Sequence, residues 1–153
     1  NSSGDNTAYQ TEISNSGNIR LLSLNDLINE KIASGCDPFI IKIDIEGSEY
    51  RLLNDVIKIQ KKLVGLIIEF HDVDLHLEKI KKFISQFNLD LVHIHGNNYS
   101  ELDNFNNPTM LEISFEKNPI ILKKNSELPH FQDQPNNKKK SDYTLKFNRI
   151  NLF

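Results

Sequence analysis

The sequence predicts an α/β fold, with two parallel strands and their helices followed by an antiparallel strand pair. Three observations carry that expectation. Apolar, β-rich runs at 39–45 and 64–70 alternate with helical stretches at 48–62 and 75–87, and such alternation gives parallel strands joined by right-handed crossovers. After residue 88 the rhythm changes: strands at 89–94 and 110–115 are connected by a polar, Asn-rich loop without a helix. Strands joined in that way are most simply antiparallel neighbours. Finally, 153 residues, 38% of them hydrophobic, suffice for a single sizeable core.

Each element has its local reason. Residues 1–18 are polar and rich in Asn, Ser and Gly, which marks loop or a frayed strand. Residues 19–22 form a short extended run. Ser23 with Asp26 three residues on resembles a capping box, Leu24, Leu27, Ile28 and Ile32 keep helical spacing, and Gly35 is placed to end that helix. The run 39–45 is almost continuously apolar apart from Lys42 and Asp44, as expected of a strand buried on both faces. Gly47 supplies a turn. Leu52, Leu53, Val56, Ile57 and Ile59 then repeat at helical steps, as do Leu77, Ile80, Phe83, Ile84 and Phe87 further on. Past residue 116 the chain turns polar, with Pro119, Pro129 and Pro135. Three parts result: a polar lead-in (1–18), an α/β part (19–116) and a polar extension (117–153).

Composition excludes several functions. Lys plus Arg number 18 against 21 Asp plus Glu, a net charge of -3, so no global basic surface exists to grip nucleic acid. The run Lys138-Lys139-Lys140 lacks an aromatic ladder and is expected to be a solvated loop. The apolar runs are too short to cross a bilayer, and no charged-then-apolar segment opens the sequence; the expectation is a cytoplasmic protein without membrane contact. The single cysteine, Cys36, excludes an intramolecular disulfide framework and has no activating neighbour.

In an open α/β sheet, ligands bind beyond the carboxyl ends of the parallel strands. That rule selects Asp44 and Glu46 after the first strand, and Glu69 and His71 at the end of the second. Carboxylates grouped with an imidazole serve as general bases, hard-metal ligands or acceptors for hydroxyls. Bland readings stand beside these. Lys42 can pair with Asp44 on the same strand face, Glu49 in a first helical turn is explained by the macrodipole, and strand-end residues such as Glu69 and His71 are often simply solvated. A third polar cluster holds His93, His95, Asn97 and Asn98. Two histidines without a third close ligand make a weak zinc signal.

Taken together, several strings resemble one family. Leu22-Ser23-Leu24-Asn25-Asp26-Leu27-Ile28, then Ile41-Lys42-Ile43-Asp44-Ile45-Glu46-Gly47-Ser48-Glu49 with Leu52-Leu53, look like the central signature of FkbM-type methyltransferases. Ile67-Ile68-Glu69-Phe70-His71, His93-Ile94-His95-Gly96-Asn97-Asn98 and Met110-Leu111-Glu112-Ile113-Ser114-Phe115 are similar to its later elements. Leu128-Pro129 and Asp133-Gln134-Pro135-Asn136 resemble its closing segment.

The resemblance implies a Rossmann-like class I methyltransferase sheet with a reversed final strand. It implies S-adenosylmethionine as cofactor and methyl transfer to a hydroxyl of a sugar or natural-product-like acceptor, either a small molecule or a glycan. In that reading Asp44, Glu46 and His71 are catalytic, with Asp44 a base or the ligand of a divalent metal. Asp44 and Ile45 lie at the cofactor, while Glu69, His95, Asn97 and Asn98 meet the acceptor. Asn25 stands where the family carries aspartate. The matching further implies that only the carboxyl-terminal half of the sheet is present, beginning after a third strand, with the main cofactor-binding loop absent. Two other functions fit the same residues: a truncated relative kept as a carbohydrate-binding or interaction module, and a metal-dependent hydrolase using Asp44, Glu46, Glu69 and His71. Oligomeric state has no signal in the sequence.

Overall fold

A computed structural model of the chain describes residues 10–13, 19–22, 24–33, 38–120 and 127–146. Ser23, Gly35, Cys36 and most of the lead-in lie outside the described residues. Strands β1 (Gln10–Ile13) and β2 (Ile19–Leu22) pair antiparallel, Gln10 opposite Leu22. Of the expected loop or frayed strand, residues 10–13 take the strand form, paired with β2. Helix α1 (Leu24–Ala33) follows with Asp26 in its first turn, where a carboxylate suits the helix dipole. Its Ile28 is buried in the common core.

The body of the molecule is a mixed α/β arrangement on a four-stranded sheet. Its strands are β3 (Phe39–Ile43), β4 (Leu63–Phe70), β5 (Asp90–Gly96) and β6 (Leu111–Glu116), in the order β3-β4-β6-β5. β3 runs parallel to β4, and β6 is antiparallel to both β4 and β5. The antiparallel pair expected from the polar connection is present, with β6 inserted between β4 and β5. Between β3 and β4, the expected single helix is divided into a 3-10 turn (Glu49–Arg51), α2 (Leu53–Ile59) and a second 3-10 turn (Gln60–Lys62). Helix α3 (Val73–Gln86) joins β4 to β5.

Period-two alternation divides the sheet into unlike faces. Register sets Ile41 beside Leu66 and Phe115, and Ile43 beside Ile68 and Ile113. This face meets Val56 and Ile59 of α2 and Ile80 and Phe83 of α3 in one buried cluster. Phe83 stacks on Phe87 at 5.0 Å between centroids, and Phe115 meets both rings edge-on at 5.9 and 5.1 Å. Such aromatic pairs contribute about 0.5–1.5 kcal/mol each beyond their burial. The opposite face carries Lys42, Ile67, Glu69, Glu112, Ser114, His93 and His95. Here the expectation of two-sided burial for 39–45 fails: Ile40 is 68% exposed, and so in part is Ile67 (41%) on the inner strand β4, because the described helices pack against the other face.

Within the polar extension, residues 127–146 fold back onto the sheet. Strands β7 (Glu127–Leu128) and β8 (Leu145–Lys146) pair, and residues between them dock on the polar face of β5 and β6. Lys138, Lys139 and Lys140 are exposed on that segment, as a solvated loop requires. No described helix is long and apolar enough to cross a membrane.

Candidate active site

The carboxyl ends of β3 and β4 lie side by side, and the loops leaving them share an unusual backbone. Glu46 (φ 52°), Gly47 (φ 89°) and Asp72 (φ 48°) all adopt left-handed conformations. The other described residues with positive φ are Asn106 and Asn118, for which this region is accessible; Glu46 is the uncommon case. Strained residues of this kind persist only where neighbouring contacts hold them.

Glu49 is the contact that does so. Wholly buried, it accepts hydrogen bonds from the Gly47 amide (2.9 Å) and the His71 amide (2.7 Å), tying the two loops together. Its Oε1 also lies 3.3 Å from His71 Nδ1. Tyr50 adds a second tie by donating its hydroxyl to the His71 carbonyl. Burial, reinforced by the charge of Glu49, pushes the Tyr50 phenol far above its ordinary pKa, so it remains a donor. None of this follows from spacing. A first-turn acid is adequately explained by the helix dipole, and only tertiary burial shows that Glu49 is the hub.

With Nδ1 turned to Glu49, the other ring nitrogen faces the cluster. His71 Nε2 is 3.4 Å from Glu46 Oε2 and 4.0 Å from Glu69 Oε1, and it is buried without a hydrogen-bond partner. One ligand atom each from Asp44, Glu46 and His71 lie within 4.8 Å of one another. Asp44 also pairs with Lys42 at 3.3 Å, so the bland reading of that aspartate is present together with the convergence. Glu69 is nearly buried and accepts from Asn97 Nδ2 at 2.7 Å. Burial raises its pKa, and the charges of Asp44 and Glu112 add to that rise against the Asn97 hydrogen bond. Ile45 stands 40% exposed at the rim.

Of the residues singled out by sequence, Asp44, Glu46, Glu69 and His71 are thus brought together, with Asn97 attached through Glu69. His95 and Asn98 are placed elsewhere, and the docked segment explains why. His95 is clamped between Glu112 Oε2 (3.3 Å from Nδ1) and Asp142 Oδ2 (3.0 Å from Nε2). Burial works against a charged ring, but the hydrogen bonds to Asp142 and Glu112 outweigh it and hold the His95 pKa above the ordinary histidine value. Asn98 is wholly buried: its Nδ2 donates to the Asn137 carbonyl (3.0 Å) and its Oδ1 accepts from the Asn137 amide (2.6 Å). In this structure both side chains are engaged with the chain itself. Asp133 beside His93 (3.1 Å) and Asn136 donating to Glu112 (2.8 Å) complete that grip. Their partners are far apart in sequence, so no local pattern announces them.

The arrangement suits proton removal from a hydroxyl, coordination of a cation, or attraction of a positively charged ligand. No curated protein and no solved structure matches the chain. A family model for the methyltransferase FkbM domain matches residues 1–102 of the 153, a span holding every member of the cluster just described. By that match, the chain belongs to the FkbM methyltransferase family.

Proposed function

We propose that the domain takes part in S-adenosylmethionine-dependent methyl transfer to oxygen, with the acceptor hydroxyl received between Asp44, Glu46 and His71. One observation carries the reading: these three side chains converge beyond the carboxyl ends of a parallel strand pair, where α/β sheets bind ligands. The strand order β3-β4-β6-β5, with β6 reversed, supports placing them in a Rossmann-like class I sheet.

The donor set fits one end of the cofactor. Asp44, Glu46 and Glu69 make this rim acidic, which favours a sulfonium and an ammonium group, and Ile45 offers an apolar surface beside them. When bound, the cofactor supplies a methyl group on positively charged sulfur. The chain's own residues do the rest. An alkyl hydroxyl is a poor nucleophile until its proton is accepted. Asp44 takes that proton; Nε2 of His71 and the Glu46 carboxylate orient the hydroxyl, and Glu49 keeps the ring from turning. Holding the oxygen in line supplies much of the remaining acceleration. Sugars and polyhydroxylated natural products match this polar rim as acceptors.

The test uses the domain within its full-length protein, methyl-labelled S-adenosylmethionine and a panel of sugars and polyols. Label should appear in methyl ethers, and Asp44→Asn should lower turnover by about 100-fold, the scale of a lost general base. Unchanged turnover in that variant overturns the role of Asp44. Label found only in esters or amines overturns oxygen ethers as the product.

A further inference from the structure

The unpartnered nitrogen of His71 points further than an acceptor hydrogen bond. A buried polar atom that makes no hydrogen bond is costly, yet His71, 8% exposed, holds Nε2 without one among the described residues, the exposed Glu46 carboxylate standing 3.4 Å away but not hydrogen-bonded to it. We infer that Asp44, Glu46 and His71 Nε2 form a binding site for one divalent transition-metal ion.

Four features agree. The ring's other nitrogen is set against a buried carboxylate, Glu49, which is the arrangement that orients metal-ligating histidines and fixes their tautomer. Glu49 is itself secured by the Gly47 and His71 amides, so the ring is fixed before any ion arrives. Ligand atoms about 2.1 Å from one ion lie at most about 4.2 Å apart. The present ligand atoms lie within 4.8 Å of one another, with Glu46 Oε2 already 3.4 Å from Nε2, and the small excess is left to the two carboxylate side chains, Asp44 (34% exposed) and Glu46 (86% exposed). Lastly, three protein ligands at an open rim leave coordination positions for an outside oxygen, the pattern of reactive rather than purely structural sites.

The donors also select the ion. One imidazole with two carboxylates suits Mn²⁺, Fe²⁺ or Zn²⁺ better than the all-oxygen shell that Ca²⁺ prefers. Such an ion would take the Nε2 lone pair and, resting on the proposed function, would receive the acceptor oxygen and lower its pKa, the proton passing to the Asp44 carboxylate oxygen that the ion leaves free. Glu69, 4.0 Å from Nε2 and anchored by Asn97, lines the back of the site.

Mn²⁺ is the probe. Titrated into the metal-free 153-residue chain and followed by the loss of the free-ion paramagnetic resonance signal, it should bind at one ion per chain. Amide broadening should centre on residues 44–49 and 69–72. Asp44→Asn combined with Glu46→Gln, both outside the core, should weaken binding at least about 100-fold with the unfolding midpoint unchanged. Glu49→Gln should weaken it about 10- to 100-fold, as expected for a residue that positions a ligand. No uptake at millimolar Mn²⁺, equal affinity in the double variant, or broadening centred on His93 and His95 each overturns the site. Binding is read without cofactor or acceptor. Asp44-dependent methyl transfer without metal uptake would therefore remove the metal and leave the proposed function standing.

Discussion

His71 and His95 sit on neighbouring parts of one molecule, among carboxylates, and both are nearly buried. Their nitrogens are used in opposite ways. Both ring nitrogens of His95 meet carboxylates, Glu112 on one side and Asp142 on the other. His71 commits one nitrogen to Glu49, while the second makes no hydrogen bond among the described residues and has only the exposed Glu46 carboxylate, 3.4 Å away, and Glu69, 4.0 Å away, for neighbours. The first arrangement closes a structure; the second leaves a place for something else. Residue type alone cannot separate the two, since each is a histidine beside acids at a strand end. What separates them is whether the chain itself comes back to fill the last valence. At β5 and β6 residues 127–146 return, and at β3 and β4 no described segment does.

The comparison can be broken at several points. The largest effect is expected at the hub of the open half. Glu49→Ala strands the buried His71 amide, at about 1–3 kcal/mol, frees the more exposed Gly47 amide, at about 0.5–1.5 kcal/mol, and empties a wholly buried side-chain position. Chemical denaturation should show a loss of about 4 kcal/mol; a loss below about 1 kcal/mol would mean the two loops are held by other contacts.

Next comes the closed half. His95→Ala leaves Asp142 and Glu112 facing each other without a cation between them, and should cost about 3 kcal/mol. Hydrogen exchange should rise across 127–146 while the β3–β4 core stays protected. Uniform loss of protection would show that the returning segment and the core unfold as one.

A smaller and graded effect follows from the raised pKa of His95. Because the folded value exceeds the unfolded value, near 6.5, the stabilisation is complete below about pH 6.5 and is lost as pH rises through the folded value. Protease sensitivity of the segment should therefore increase from neutral into alkaline pH. In His95→Gln the profile should flatten; a slope unaltered by that substitution assigns it to another group.

The smallest stability change is expected at Asp44. Its side chain is one-third exposed and paired only with the solvated Lys42, so Asp44→Asn should move stability by less than about 1 kcal/mol. A larger loss would make Asp44 a structural residue and weaken its assignment to chemistry.

Much of this arrangement was legible in the sequence. Helical spacing located the helices between the strands, and the rule of carboxyl strand ends selected Asp44, Glu46, Glu69 and His71 before any coordinates. Two things were not legible. Continuous apolarity over 39–45 suggested burial on both sides, but whether a helix packs on a given face, not the strand's composition, decides how much of Ile40 is covered. The docking of 127–146 rests on pairs such as Asn98–Asn137 and His95–Asp142, separated by 39 and 47 residues. Its polar residues read as solvated because their partners are remote. Glu49 was hidden for a different reason: a sufficient local explanation was already available.

The left-handed backbone at Glu46 has an evolutionary reading. Glycine adopts that conformation without steric penalty, so Glu46→Gly should relieve about 1 kcal/mol at a position whose side chain contributes little burial. Stability alone therefore favours glycine at this position, while the cluster favours the carboxylate. A thermal-shift gain in Glu46→Gly accompanied by loss of methyl transfer would mark residue 46 as a point where stability and function compete.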